Sequence, residues 1–283
     1  MQFVFIIGAG ASKEIGMPVG DELKNEIIKI LTDVNNIPPI RTIGARRSPI
    51  EEKIPVHILA VRDGIREFRH NHYNEDNWKK YNLEEIIKSL ERTTSIDNLM
   101  YDFSEVPEIQ AVGKLAITSA ILKAESNCVL GDSYKKREFK DTLEGTWYFS
   151  LFSKFIEKAK LDTFIKRLKN ICFIIFNYDR TIEQYFYNSI IHFYKTSPEQ
   201  AAEIVNNMNI YHPYGQTGYL QFQRGTPKNK FGRIHEDDIS EISSLIKTFM
   251  LDNFGNDDEY KKVCDFLNIR LVRQQVIFTV FHN

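Results

Sequence analysis

Cysteine is scarce in this sequence, and its spacing forms no cross-linking or metal-binding pattern. Cys128, Cys172 and Cys264 are far apart, and an odd number of cysteines cannot pair completely. No CxxC pair occurs, which excludes a zinc ribbon built from paired cysteine ligands. We therefore expect reduced thiols in a cytoplasmic protein that has no disulfide framework.

Long apolar runs and an excess of charge of one sign are absent as well. No uninterrupted stretch of ~20 apolar residues occurs, so we expect no membrane-spanning helix. The first residues also lack the basic region and cleavage site of a signal peptide. The 37 basic and 38 acidic residues leave a net charge of -1. This balance gives no electrostatic reason to expect a nucleic-acid partner.

Apolar and aromatic residues, by contrast, are plentiful. Apolar residues make up 42% of the 283 positions, with 20 Phe and 13 Tyr, enough for the core of one large domain or two small ones. The chain begins with an apolar run at 3–7 that ends at Gly8, and residues 20–33 have helical spacing. A buried strand, a glycine turn and a helix in this order are typical of an α/β fold.

The strand signature returns late in the chain. Residues 171–176 are a second apolar run, 180–194 are predicted as a helix, and 208–215 and 274–283 are further strand candidates. We therefore predict an α/β fold class, with a Rossmann-like, mostly parallel sheet flanked by helices.

Between the first two strands the pattern is mainly helical. It predicts helices at 50–69, 82–93, 109–126 and 145–170, with Asn82 as an N-cap. Residues 1–34 and 165–283 are then expected to form the Rossmann-like core. Residues 35–164 are expected to form a large, mainly helical insertion.

Three of the predicted strands end in chemically unusual residues. The motifs are GAGAS at 8–12, NYD at 177–179 and HPYG at 212–215. Ligands of open parallel sheets bind beyond the carboxyl ends of the strands. We therefore expect these motifs to meet in one crevice.

The glycine motif suits an anionic ligand. Gly8 and Gly10 permit a tight turn and close approach to the backbone, and the amides of a following helix favour a phosphate. Ser12 adds a hydroxyl. The full GxGxxG fingerprint is not met, because Lys13 takes the place of the third glycine. A tight turn without a ligand is the alternative.

The polar residues at the other two strand ends also have structural alternatives. Asn177 and Asp179 are each suited to cap the following helix, and a lone His212 is often a core or surface residue. Buried polar side chains after an apolar strand need partners, however. Together with the glycine motif, the three residues favour a ligand site.

A metal site is the weaker hypothesis. His70, His72, Glu75 and Asp76 have side chains that bind metals, but they lie in a strongly polar stretch. A solvated loop explains that composition better. We predict no metal.

Taken together, the motifs resemble the Sir2 superfamily, and more narrowly the Sir2-like domains of prokaryotic anti-phage defence proteins. The family opens with a strand and GAGxS, similar to Gly8–Ser12, and continues with a glycine and a proline, similar to Gly16–Pro18. A central strand then ends in N-x-D, similar to Asn177–Asp179. TSIDNL at 94–99 also resembles a segment that is common in the defence branch.

Two features depart from the family pattern. Sirtuin deacylases carry a zinc ribbon of CxxC motifs, and this sequence has none. The family histidine commonly precedes a glycine, and here that position is Tyr214, two residues after His212. A shift of two residues along a strand keeps the same face, so His212 is the expected counterpart.

The resemblance implies an NAD-binding core that hydrolyses the nicotinamide–ribose bond of NAD, giving ADP-ribose and nicotinamide, in defence by NAD depletion. NAD would be the substrate, and no metal would be needed. It further implies that a homo-oligomer or a partner protein regulates the activity.

The resemblance also implies roles for individual residues. Ser12 and the amides of the glycine motif would hold the diphosphate. Asn177 would orient the ribose or the attacking water, Asp179 would hold the nicotinamide carboxamide, and His212 would be the general base. The residues implied to contact NAD are Gly8, Ala9, Gly10, Ser12, Pro18, Asn177 and Asp179.

Two other functions stay open. A non-catalytic module that senses NAD or ADP-ribose and controls a partner protein fits the departure at Tyr214. A deacylase or ADP-ribosyltransferase would need a macromolecular acceptor, and the missing zinc ribbon argues against it.

Overall fold

Helices dominate the structure and surround a small parallel sheet. The computed structural model describes residues 3–38, 51–72, 74–131, 143–234, 238–247 and 261. The strands are β1 (Phe3–Ile7), β2 (Ile171–Ile175) and β3 (Asn209–Tyr211). The helices are α1 (Ala9–Lys13), α2 (Gly20–Asn35), α3 (Val56–Asn71), α4 (Glu75–Lys80), α5 (Leu83–Arg92), α6 (Ile96–Asp102), α7 (Pro107–Asn127), α8 (Trp147–Ile156), α9 (Leu161–Leu168), α10 (Thr181–Tyr194), α11 (Pro198–Asn206) and α12 (Ile239–Ser243), with a 3₁₀ turn at Glu51–Lys53.

The sheet has the order β1-β2-β3 and is open and parallel. The register pairs Ile7 of β1 with Ile175 of β2, and Ile174 of β2 with Tyr211 of β3. All three strands therefore end at the same edge, as the sequence predicts. The coarse expectation of helices around a parallel sheet is confirmed.

Most of the predicted helices form, and their caps explain where they begin. The Asn82 side chain accepts a hydrogen bond from the backbone amide of Glu85 at 3.1 Å and begins α5. The long prediction at 145–170 is wrong in one respect, because the segment forms two helices, α8 and α9. Lys158 lies between them with a left-handed φ of 50°, a conformation that ends a helix.

Two further expectations need correction. The strand predicted at 208–215 is only three residues long, and the polypeptide turns at His212–Gly215 instead. The polar stretch around His70 and Glu75, predicted as a solvated loop, belongs largely to α3 and α4. The strand predicted at 274–283 lies outside the described residues.

One large hydrophobic core runs through the described chain, and a small second cluster lies around Cys172 and Ile174 of β2. The large core extends from Ile7 of β1 to Ile246 and includes residues of β2 and of the helices between the first two strands. Every residue of β2 is buried, and α7 packs against α2, α3, α6 and α12. The division into 1–34 plus 165–283 and 35–164 stays a prediction. Among the described helices, none is both long and apolar enough to span a membrane.

One buried ion pair ties α7 to the segment after β2. Arg180 and Glu125 are both fully buried, and two guanidinium nitrogens contact the carboxylate, with Nε 3.1 Å from Oε1. Arg180 also donates to the Asn229 carbonyl at 2.9 Å, and the Gly232 amide donates to Glu125 Oε2 at 3.0 Å. This pair therefore fixes three segments relative to one another.

Removing the Glu125 charge should destabilise the fold strongly. Glu125→Gln leaves Arg180 as a buried cation without its counter-charge, so we expect a loss of ~3–5 kcal/mol in the free energy of unfolding, measured by urea denaturation. The matched control is Glu26→Gln, since Glu26 pairs with Lys123 at 2.6 Å where the side chains are 28% and 32% exposed. That change should cost ~0–1 kcal/mol. Equal losses in the two variants would contradict the assignment.

Candidate active site

The glycine motif directly follows β1 and itself forms the start of a helix. Gly8 is the N-cap of α1, with φ -110° and ψ 174°, and Ala9 and Gly10 are exposed in its first turn. A Cβ built on Gly8 would have no heavy atom within 4 Å. The space in front of this turn is therefore open, and the sequence-based expectation of a bare glycine bend before a later helix is replaced by a helix that begins at Ala9.

Ser12, the last motif residue, is the centre of a hydrogen-bonded cluster. Its Oγ lies 3.1 Å from Asn177 Nδ2, 3.4 Å from Asp179 Oδ1 and 3.3 Å from Thr181 Oγ1. The Tyr148 hydroxyl lies 3.2 Å from Ser12 Oγ and 2.7 Å from Thr181 Oγ1. The motifs after β1 and β2 therefore meet through their side chains.

Asp179 is a buried carboxylate that relies on neutral donors. It is 4% exposed and accepts hydrogen bonds from the Thr181 hydroxyl and from the Thr181 amide at 3.2 Å. Burial raises its pKa above the ordinary value, and the nearby Glu125 carboxylate raises it further. Asp179 therefore accepts from the first amide of α10, close to the capping role considered for it, although the N-cap residue is Arg180, and it also faces Ser12.

His212 lies beside this cluster and contacts a buried carboxylate. Its Nδ1 is 3.3 Å from the Asn177 carbonyl, and its Nε2 is 2.9 Å from Oε1 of Glu183, which is 1% exposed. Burial alone would raise the pKa of Glu183. The charge and hydrogen bond of His212 outweigh that effect and hold the pKa below its ordinary value.

The first turn of α8 covers the end of the glycine motif, at Ala11 and Ser12. Trp147 Nε1 donates to the Ala11 carbonyl at 2.6 Å, and the Trp147 amide donates to Glu14 Oε1 at 2.7 Å. Beside it, the Tyr148 hydroxyl reaches Ser12. Burial raises the pKa of Tyr148 well above its ordinary value, so the phenol stays protonated. Ser12 is 1% exposed beneath this cover.

Three buried oxygens near the cluster accept no hydrogen bond from any described residue. They are Asn177 Oδ1, Glu183 Oε2 and Gln216 Oε1. Gln216 follows the turn at His212, where the Thr217 amide donates to the Tyr178 carbonyl at 3.1 Å. Unpaired buried acceptors cost free energy, and all three can accept from a ligand that carries hydroxyl or amide donors.

Pro18 lies apart from this cluster. With Gly16 and Met17 it lines a cleft of about 440 Å³ between the glycine motif, α2 and α7. Lys13 and Lys123 also line this cleft, each paired with a glutamate. Ser12, Asn177, Asp179 and His212 are not among the residues that line it.

The structure thus brings together most of the predicted site. Ser12, Asn177, Asp179 and His212 form one cluster at the carboxyl edge of the sheet, with Gly8, Ala9 and Gly10 directly before Ser12 on the chain. Four further residues of the cluster are not predicted from the sequence: Tyr148, Thr181, Glu183 and Gln216. Thr181 and Glu183 had a signal, since they follow Asp179 at steps of two in NYDRTIE. Tyr148 had none.

The described residues contain no group of three or more His, Cys, Asp or Glu side chains placed to hold a metal ion. Cys128 and Cys172 are free, buried thiols, and burial raises the pKa of each to about 12. Both are therefore protonated at neutral pH and unsuited to nucleophilic chemistry.

Comparison with known proteins adds no relative. No protein-family model, curated protein or solved structure matches this chain significantly.

Burial of Asp179 should make stability depend on pH. Because the folded-state pKa is raised, the protonated form favours folding, and this contribution is lost as pH rises through the raised pKa. Asp179→Asn carries no charge, so we expect the variant to gain stability relative to the wild type as pH rises from ~4 to ~7. Urea denaturation across this range measures the difference. The control, Asp162→Asn, removes an exposed carboxylate on α9. If the wild type instead became more stable relative to Asp179→Asn as pH rises, the assignment of a raised pKa to Asp179 would be wrong.

Proposed function

We propose that this protein is an NAD hydrolase. It cleaves the nicotinamide–ribose bond with water and releases ADP-ribose and nicotinamide. In this proposal the sheet is the centre of a Rossmann-like core, and residues 35–164 are a helical insertion. The resemblance to Sir2-like defence domains suggests the reaction and a role in depleting NAD during phage infection.

The observation that carries the proposal is the set of unpaired acceptors at the sheet edge. Asn177 Oδ1, Glu183 Oε2 and Gln216 Oε1 are buried and accept from no described residue. The nicotinamide riboside half of NAD presents hydroxyl and carboxamide donors, which complement such oxygens. The diphosphate of NAD itself has no donors to offer them.

The chemistry needs positioning more than a strong nucleophile. When the glycosidic bond breaks, its electron pair moves to the pyridinium nitrogen, nicotinamide leaves as a neutral molecule, and positive charge develops on the ribose. Water then attacks C1′ and loses a proton. Asn177 holds the ribose or the water, Asp179 holds the carboxamide, and His212 is the base.

The glycine motif holds the diphosphate in this proposal. The open space in front of Gly8 lets the ligand approach the backbone, and Ser12 contributes its hydroxyl once its present partners release it. Pro18 and its cleft lie next to the motif and would contact the same ligand.

The cluster is closed in this structure, which agrees with an activity that is held in check. Asn177, Asp179 and His212 are 6%, 4% and 7% exposed. NAD must displace the Ser12–Tyr148 contact to reach them. A homo-oligomer or a partner protein that moves α8 is the regulation we propose.

A second candidate is a non-catalytic sensor of NAD or ADP-ribose. It is favoured by the state of His212, since both ring nitrogens face acceptors. A sensor would bind NAD in calorimetry and leave it intact over hours. Release of nicotinamide by the same preparation would exclude this alternative.

The first test of the hydrolase is turnover with site variants. Asn177→Ala and His212→Ala should each lower the rate of NAD cleavage by ~10²–10⁴-fold, because each removes a positioned group. Nicotinamide and ADP-ribose are measured by chromatography. Asn170→Ala is the matched control, since Asn170 is exposed just before β2, at the opposite end of the same strand as Asn177. Unchanged turnover in both site variants would rule out this site.

Gln216 gives a test that separates binding from folding. Its Oε1 has no described partner, so Gln216→Leu removes an unpaired acceptor without breaking a described contact of that atom. We expect unchanged or higher stability to urea, and a KM for NAD raised ~10-fold, as one lost hydrogen bond implies. An unaltered KM would show that Gln216 does not contact the substrate.

A further inference from the structure

Glu183 offers its unpaired Oε2 to the proposed ligand, but the proposed reaction gives no role to its other oxygen, which faces His212. It lies near the start of α10 and is 1% exposed. Its Oε1 is 2.9 Å from His212 Nε2 and 3.4 Å from Gln223 Nε2. A carboxylate this deeply buried is stabilised when its partner carries a positive charge.

The geometry around the imidazole indicates its protonation state. Nε2 faces the Glu183 carboxylate, and Nδ1 faces the Asn177 carbonyl at 3.3 Å. A neutral imidazole has only one N–H and would leave two lone pairs facing each other at the second contact. The imidazolium form donates to both acceptors. In that form, however, His212 cannot take a proton from water.

Other charged groups near the His212 ring affect its protonation, directly or through the neighbouring carboxylates. The buried Asp179 carboxylate also attracts a His212 cation. Arg180 attracts Glu183, and Glu125 repels Asp179. Among these groups Glu183 has the direct contact, so its charge has the largest effect on the ring.

We propose that Glu183 is a positioning residue that holds His212 as an imidazolium in the closed site and sets the pH at which His212 becomes a base. Its catalytic consequence rests on the proposed NAD hydrolysis. Activation requires the Nδ1 proton to leave for solvent while the Nε2 proton stays on the bond to Glu183. The ring then accepts the proton of the attacking water at Nδ1.

The protonation state can be measured without any activity. Nitrogen NMR of the full chain, labelled in its histidine rings and assigned with His212→Asn, should show both His212 nitrogens protonated at neutral pH. In Glu183→Gln, the pH at which the ring loses a proton should fall by ~1–3 units, as expected when an adjacent opposite charge is removed. Glu199→Gln, an exposed carboxylate on α11, should leave it unchanged.

The measurement has clear outcomes against the proposal. A wild-type His212 with one N–H at neutral pH would overturn it, and so would an unchanged titration in Glu183→Gln. If the variant does not fold, the wild-type spectrum still decides, because it needs no substitution.

Activity gives a separate readout of the same role. The pH–rate profile of NAD cleavage by Glu183→Gln should shift to lower pH, in parallel with the ring titration. Glu183→Asp, which keeps the charge, should restore most of the wild-type profile. A profile that stays in place while the rate falls would reduce Glu183 to a structural residue. Wild-type protein that cleaves no NAD refutes the hydrolase, whereas the NMR result stands or falls independently.

Discussion

The burial of three carboxylates beside one edge of the sheet is the constraint on which the site depends. Glu125 and Glu183 are 0% and 1% exposed, and Asp179 is 4% exposed. Glu125 has the guanidinium of Arg180 as its partner, and Glu183 has the imidazole of His212. Asp179 has only neutral donors in direct contact, and its pKa is raised accordingly. Each carboxylate therefore needs its partner in a fixed position, since an unpaired buried charge is very costly.

These pairings also fix the elements that build the site. Arg180 ties the segment after β2 to α7 through Glu125, and His212 ties the turn after β3 to α10 through Glu183. The Tyr178 hydroxyl donates to Asp97 near the start of α6. Helices α6 and α7 are thus tied to the segment that carries Asn177 and Asp179, and Asp97 of TSIDNL makes one of these contacts.

The sequence predicted which strand ends meet at one edge of the sheet, but not all of the side chains that surround them. Apolar runs locate β1 and β2 because a fully buried strand needs apolar residues on both faces, and parallel pairing then brings Ser12 and Asn177 together. The break at Lys158 could not be predicted, since lysine gives no signal for a left-handed φ. Tyr148 was missed because its position over Ser12 follows from how α8 packs, which no local pattern encodes. Glu183 has helical neighbours and was counted only as a helix residue.

The tyrosine beside the last motif glycine is a third ionisable group at this edge of the sheet. Tyr214 stands before Gly215, and its ring packs edge-on against Phe176, with centroids 5.2 Å apart. Burial raises the pKa of Tyr214 to about 12, so its phenol stays protonated at neutral pH and cannot act as a base. Burial disfavours the charged form of Asp179, and the phenol of Tyr148 stays protonated as well. Of the described side chains at this edge, His212 is the one whose ordinary pKa lies near neutral pH, and its direct contact with the Glu183 carboxylate is the feature that can tune it.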